Sequence, residues 1–276
     1  MNAQLHRFFH DKVVLVTGSS RGIGRELASQ LLELGARVIL HGRTQNGVQQ
    51  TRKALGSPDR AAAVWGDLSH KQTALDLSIK AAQFWGRLDA LINNAGLSMR
   101  GTWDEVQPAA VDALWASNVL SALWATQGSL PALQESSGSV VFVSTLAALR
   151  GFPGAGLYST TKMALTGLQQ SLDAEVRGQG ICSSIVYLPF VENDPEKTIL
   201  DAQGKAFHHE RRFVWTQERA ARAILLSIAR RRRRAVLTGV GRALSWGQSL
   251  FPGWVAALLA RTAGKVHAVR KAEERS

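Results

Sequence analysis

The chain is short of cysteine, of acidic residues and of long apolar runs, and each shortage excludes something. One cysteine among 276 residues means that no intrachain disulfide can form. That residue, Cys182, lies in the apolar run 181–188 and reads as a buried, inert thiol. No run of about 18 apolar residues is present, so a membrane-spanning helix is not expected. The opening residues, MNAQLHRFFHDK, lack the apolar core of a secretory signal. A cytoplasmic protein is the expectation, with attachment to a membrane surface left open. His208-His209 has no partner at ligand spacing, so no metal site is expected. Acidic residues number 21 against 33 basic ones, a formal charge of +12. Such an excess favours encounters with nucleotide cofactors, acyl thioesters, anionic lipid or nucleic acid. No recognition motif accompanies the basic runs, so nucleic acid is not an expected partner.

What is present is a rhythm. Short β-branched runs at 12–16, 36–40, 61–64, 88–92, 139–143 and 181–188 alternate with helical patterns at 22–34, 70–85, 108–127 and 156–177. A further helix is expected at 217–228 and a seventh strand at 235–237. Continuous apolar strands alternating with helices predict an α/β fold. The fold is a doubly wound parallel sheet of Rossmann type, with about seven strands. Residues 1–240 read as one domain and 241–276 as an amphipathic, basic C-terminal extension. Within the first, 190–215 shows no clear period and reads as a substrate loop.

The stretch Thr17-Gly18-Ser19-Ser20-Arg21-Gly22-Ile23-Gly24 follows the first strand and opens the first helix. Gly18 permits a tight turn, Gly22 a close approach to a pyrophosphate, and Gly24 close packing of helix on strand. Free N–H groups at a helix start suit an anion. In a Rossmann site an acid at the end of the second strand binds the ribose 2′-hydroxyl. Here that strand ends Leu40-His41-Gly42-Arg43, with no acid, and Arg43 and Arg21 are placed for a 2′-phosphate. NADP(H) is therefore expected over NAD(H). Tyr158 and Lys162 are four apart in a helical stretch and so share a face. A free phenol titrates near pH 10, and a fixed ammonium beside a phenol favours the phenolate.

Five motifs in order resemble the short-chain dehydrogenase/reductase family: TGSSRGIG at 17–24, Asp67 in GDL, Asn93-Asn94-Ala95-Gly96, Asn118, and Tyr158-Ser159-Thr160-Thr161-Lys162. The resemblance runs from about residue 12 to residue 189. It implies an oxidoreductase that moves a hydride between the nicotinamide and a carbonyl or alcohol carbon, with Tyr158 as acid or base. It also implies that Lys162 holds the nicotinamide ribose and that Asn118 holds a water in a proton relay. The implied cofactor contacts are Gly18, Ser20, Arg21, Gly22, Ile23, Gly24, Arg43, Asp67, Leu68, Asn94, Ala95, Gly96, Tyr158, Lys162, Pro189 and Asn193. A homo-oligomer, dimer or tetramer, is implied as well. Two departures stand out. The family's substrate-positioning serine falls thirteen residues before the tyrosine, which here is Thr145, with Ser144 as the alternative. The family's Pro-Gly is Pro189-Phe190 here, and Asn193 stands near the position of a cofactor-binding threonine.

Aromatics at 103, 152, 190, 207, 213 and 215 fit an apolar or acyl-linked substrate bordering the site, or ordinary packing. A catalytically weak NADP(H) sensor on the same fold is the alternative function. Two features remain outside this scheme. Arg230 to Arg234 form an unbroken basic run at a helix end, which suits the helix dipole or an anionic partner. Residues 244–259 (LSWGQSLFPGWVAALL), flanked by Arg242, Arg261 and Lys265, resemble an interfacial segment. Peripheral membrane contact through 244–265, a cover for the cleft, and subunit packing are the readings left open.

Overall fold

A computed structural model describes residues 2–192, 194, 197–208 and 215–260. Seven parallel strands form one sheet: β1 (Val13–Val16), β2 (Arg37–Gly42), β3 (Ala61–Trp65), β4 (Ala90–Asn93), β5 (Ser139–Thr145), β6 (Cys182–Leu188) and, after an antiparallel pair, β9 (Arg234–Val236). Their order is β3-β2-β1-β4-β5-β6-β9. The chain reverses direction across the sheet between β1 and β4, and their carboxyl ends open a crevice there. The expected doubly wound sheet is thus the observed one.

The central strands β1, β4, β5 and β6 are buried almost throughout because both sheet faces are covered, whereas β9 at the sheet edge keeps Arg234 exposed. Helices α1 (Asn2–Phe9), α2 (Gly22–Glu33), α3 (Gln45–Ala54) and α8 (Gln217–Ala229) bury residues in the core on one face. There Leu27 and Leu31 of α2 meet Ile224 and Ile228 of α8. Each such fully buried leucine contributes roughly 1.5–3 kcal/mol. Helices α4 (Lys71–Gln83), α6 (Ser121–Glu135) and α7 (Gly156–Val176) cover the other face around Phe142 and Tyr187. Asp89, buried at the foot of β4, accepts the Val13 N–H at 2.9 Å and pairs with Lys12 and Arg87. Burial pushes its carboxyl up, but the hydrogen bonds and charges of Arg87, Val13 and Lys12 outweigh this and hold it below the usual carboxylate range.

Two departures from the sequence reading, and the form of the C-terminal extension, matter for function. The expected single helix over 108–127 is α5 (Pro108–Trp115), a π turn (Ala116–Leu120) and then α6. The segment 190–215 carries a β-hairpin, β7 (Thr198–Leu200) with β8 (Ala206–His208). Its first strand is stitched to the loop after β4: Leu200 N–H donates to Ser98 O, and Arg100 N–H donates to Leu200 O, both at 2.9 Å. Met99, Ala110, Leu114, Leu157 and Ala202 form a small core beneath it. Finally, α9 (Gly239–Leu250) is followed by helical residues 252–260. No described helix is long and apolar enough to cross a membrane.

Candidate active site

One cleft of about 690 Å³ runs along the carboxyl ends of β1, β2, β4, β5 and β6. Its first wall is the glycine turn. Gly18 has φ +64°, and a Cβ there would lie 2.9 Å from the Ala95 Cα. A Cβ on Gly24 would strike the Gly18 carbonyl oxygen. The turn can therefore form only with glycines, and it brings α2 end-on to the cleft. Helices α3, α8 and α9 begin on the hydroxyls of Thr44, Thr216 and Thr238. Helix α2 begins at Arg21 with no such side-chain cap. Its Gly22 N–H instead meets the Asp194 carboxylate at 3.1 Å, and that carboxylate also pairs with Arg25 at 3.4 Å.

The turn is held from behind by Thr17 and His41, which sequence reading missed, together with Asn94 and Ala95 of the expected NNAG loop. The Thr17 hydroxyl accepts the N–H groups of Asn94 and Ala95, both at 3.0 Å. The Asn94 amide donates back to Thr17 O at 3.0 Å and to Gly18 O at 3.3 Å. The NNAG loop and the glycine turn are thereby one hydrogen-bonded unit. His41 is buried beneath them, taking the Gly18 N–H on Nδ1 at 3.2 Å and facing Gly66 O with Nε2 at 3.0 Å. Those partners require a neutral ring with the proton on Nε2. Burial, against the Gly66 contact and the Asp67 charge, pushes His41 below the ordinary histidine range. The two motifs were legible in the sequence, but the bonding between them was not, and His41 carried no signal.

Arg21 and Arg43 are exposed and line the end of the cleft beside β2, with Ser20 between them and the turn. Asp67 and Leu68 line the same end. Burial raises the Asp67 carboxyl, but hydrogen bonds from Ser69 and the charges of His70 and Arg43 prevail and lower it. Ile23, Ala95, Gly96 and Pro189 line the middle. Asn193 lies outside the described residues.

At the other end stand the residues of α7. Lys162 is buried, and its Nζ donates to Val143 O at 3.3 Å. Burial, reinforced by the nearby charge of Lys197, lowers its pKa to about 8. Tyr158, one turn earlier, is half-buried and lines the cleft. At the end of β5 the two candidate hydroxyls differ. Ser144 is buried and donates to the Lys162 carbonyl at 3.3 Å. Thr145 is half-buried, its hydroxyl taking the Ala147 N–H at 3.4 Å.

Asn118 sits behind this end, inside the π turn, where helices often widen to aim a side chain. Its amide nitrogen donates to Leu97 O at 3.0 Å and Thr161 Oγ1 at 2.9 Å. Its oxygen accepts the Leu97 N–H at 2.7 Å and keeps one lone pair. A Cβ on Gly96 would come within 2.6 Å of that oxygen and 3.1 Å of Lys162 Nζ. Both polar atoms therefore face the Gly96 backbone.

Of the aromatics expected at the border, Phe152 and Phe190 line the cleft. Trp215 instead packs on the first core, with the Arg219 guanidinium 4.0 Å from its ring centre. Trp103 lies against Gly156 at the start of α7 and is 67% exposed. Trp103, Phe207 and Trp215 do not line the cleft, and Trp215 is bridged to Val191. Phe213 lies outside the described residues.

The family model for short chain dehydrogenases matches residues 12–204. A ketoacyl reductase, HetN, of Nostoc sp. is 32% identical over 177 residues, 63% of this chain and 62% of its own length. The chain thus matches a little over three fifths of that relative. An uncharacterized oxidoreductase of Staphylococcus aureus (strain USA300) is 32% identical over 172 residues, 62% of this chain and 74% of that one. Among solved structures, a short-chain dehydrogenase from Burkholderia cenocepacia in complex with NADP superposes with a TM-score of 0.78 at 20% identity, covering 91% of this chain and 98% of that one. One from Streptomyces avermitilis gives 0.77 at 26% identity, covering 94% and 98%. The sheet order, the glycine turn and the match over residues 12–204 together make this chain a member of the short-chain dehydrogenase family.

Proposed function

We propose that the protein is an NADP(H)-dependent oxidoreductase that interconverts a carbonyl and a secondary alcohol on an apolar or acyl-linked substrate. One observation carries the reading: Tyr158, Lys162 and Thr145 open onto the same cleft as the glycine turn and Arg43. The residues suit a dinucleotide. The turn leaves no room for a Cβ at Gly24, and the start of α2, uncapped by its own Arg21, already receives a carboxylate on the Gly22 N–H. Arg21 and Arg43 offer forked donors suited to a 2′-phosphate, and β2 ends without the acid that would favour NAD(H). The superposable Burkholderia protein, solved with NADP, supports the same choice. Bound there, the nicotinamide would supply a hydride in reduction and accept one in oxidation.

The chain's own residues would manage the proton. In reduction Tyr158 gives its phenolic proton to the substrate oxygen; in oxidation it takes that proton back. With a pKa of about 8, Lys162 is an ammonium at neutral pH and stabilises negative charge on the phenol oxygen. Thr145 positions the substrate oxygen, since the Ser144 hydroxyl is buried against the Lys162 carbonyl. The Asn118 oxygen and Lys162 Nζ both lie beside Gly96, and a water between them would complete a proton relay. Phe152 and Phe190 favour an apolar substrate, and the relative named a ketoacyl reductase favours an acyl-linked one.

The test is a panel of ketones, 3-oxoacyl thioesters, steroids and aldehydes with NADPH, followed at the nicotinamide absorbance. Tyr158→Phe should lower kcat by roughly 10²–10⁴-fold while NADPH binding persists. Turnover unchanged in that variant would remove the assignment and leave a nucleotide-binding sensor. Alanine at Thr145 and at Ser144 in turn names the positioning hydroxyl by the larger loss of kcat.

A further inference from the structure

Helix α9 is amphipathic in the wrong sense for a core helix. At 100° per residue, Gly241, Ser245 and Gln248 share one side and Arg242, Ala243, Trp246 and Leu250 the other. The small and polar side faces inward. Gly241 packs against Leu146 and Val236, and Ser245 accepts a hydrogen bond from Arg234 at 2.7 Å. The apolar side faces out: Trp246 and Leu250 are each 70% exposed. The outward surface continues through Phe251, Trp254 and Leu258 in the helical residues 252–260. Six of the 13 large apolar side chains that the described residues leave exposed fall between Val240 and Leu258. Scattered apolar exposure is ordinary, but a contiguous patch marks a contact surface.

Its charge selects the partner. From residue 230 to residue 260 there are six arginines and no acidic residue. Three of them are tied in place without being covered. Arg231 donates to Gly180 O at 2.7 Å, Arg233 pairs with Asp173 at 2.7 Å, and Arg234 holds Ser245. All five of Arg230 to Arg234, and Arg242, remain exposed. On the outward side itself Arg242 stands with Trp246 and Leu250, and a second copy there would bring no acidic residue from 230–260 to meet it. An anionic lipid surface complements them, and tryptophan beside arginine is the composition of a segment that lies at a lipid interface. Neither helix is long enough to cross the bilayer. We propose that α9 and residues 252–260 dock the protein, apolar face down, on an anionic membrane surface.

The full chain should co-sediment with phosphatidylcholine vesicles containing phosphatidylglycerol roughly tenfold more than with phosphatidylcholine alone, and added salt should erase the difference. Trp246→Ser with Trp254→Ser should reduce pelleting roughly tenfold and abolish fluorescence quenching by brominated acyl chains. Arg230→Gln with Arg232→Gln should remove the preference for anionic vesicles. The melting temperature of each variant checks that the fold is kept, since all four side chains are exposed. Equal pelleting of wild type and the tryptophan variant overturns the proposal. So does an oligomer in vesicle-free solution that the tryptophan variant dissolves, because the occupant is then a second copy.

Discussion

Helices α2 and α9 are the same length, and they use their apolar residues in opposite ways. Helix α2 turns Leu27, Ala28 and Leu31 into the core and leaves polar side chains outside. Helix α9 turns glycine and serine inward and leaves tryptophan and leucine outside. The first is completed by its own chain. The second has a face that its own described chain does not cover. The charge divides along the same line. Residues 230–276 hold 11 of the 33 basic residues and two of the 21 acidic ones, so +9 of the formal +12 lies there. An apolar stripe therefore reports burial only where the partner surface belongs to the same molecule.

Substitutions can break or sharpen that contrast. Leu27→Ala in the α2 core should cost about 2–5 kcal/mol in chemical denaturation, and a smaller loss would mean that this core relaxes around the cavity. Gly24→Ala should come next. Its new methyl must displace the Gly18 carbonyl, costing roughly 1–3 kcal/mol. NADPH affinity, read by fluorescence titration, should fall with it; retained affinity would detach the cofactor from this turn. A subtler test lies at the far end of the cleft. Lys162 is charged below about 8 and neutral above it, so affinity for an anionic dinucleotide should fall as pH rises through that value. Lys197→Met removes a neighbouring cation and should move the midpoint upward. The sign for stability is the reverse. The unfolded lysine keeps its proton to about 10.5, so this group's contribution to folding stability is flat below 8 and grows between 8 and 10.5. Trp254→Ser should have the smallest effect, within about 0.5 kcal/mol, because that side chain is 81% exposed. A large destabilisation would show that 252–260 is structural rather than a contact surface.

The first region was legible because its signals are local. Strands such as 139–143 announce themselves by continuous β-branched residues, and the glycine turn by its place between a strand and a helix. Tyr158 and Lys162 share a face through nothing more than helical spacing. What escaped depends on residues far apart in sequence. The π turn at Asn118 follows from hydrogen bonds to Leu97 and Thr161. His41 matters because Gly18 and Gly66 reach it from either side. The hairpin β7–β8 exists because the loop after β4 supplies its missing partners. In the tail, sequence showed an apolar, basic segment but not which face would turn outward.

The contact between Asp194 and Gly22 has a consequence for any ligand that approaches α2. That helix start already holds a carboxylate at 3.1 Å, from the segment that follows β6. An incoming anion does not enter a bare site; it exchanges with a tethered one. Its measured affinity is then a ratio of two affinities, and Asp194 would keep its pairing with Arg25 when it yields the Gly22 N–H. A ligand at the start of α2 and the segment after β6, 172 residues away along the chain, would thus compete for the same N–H group.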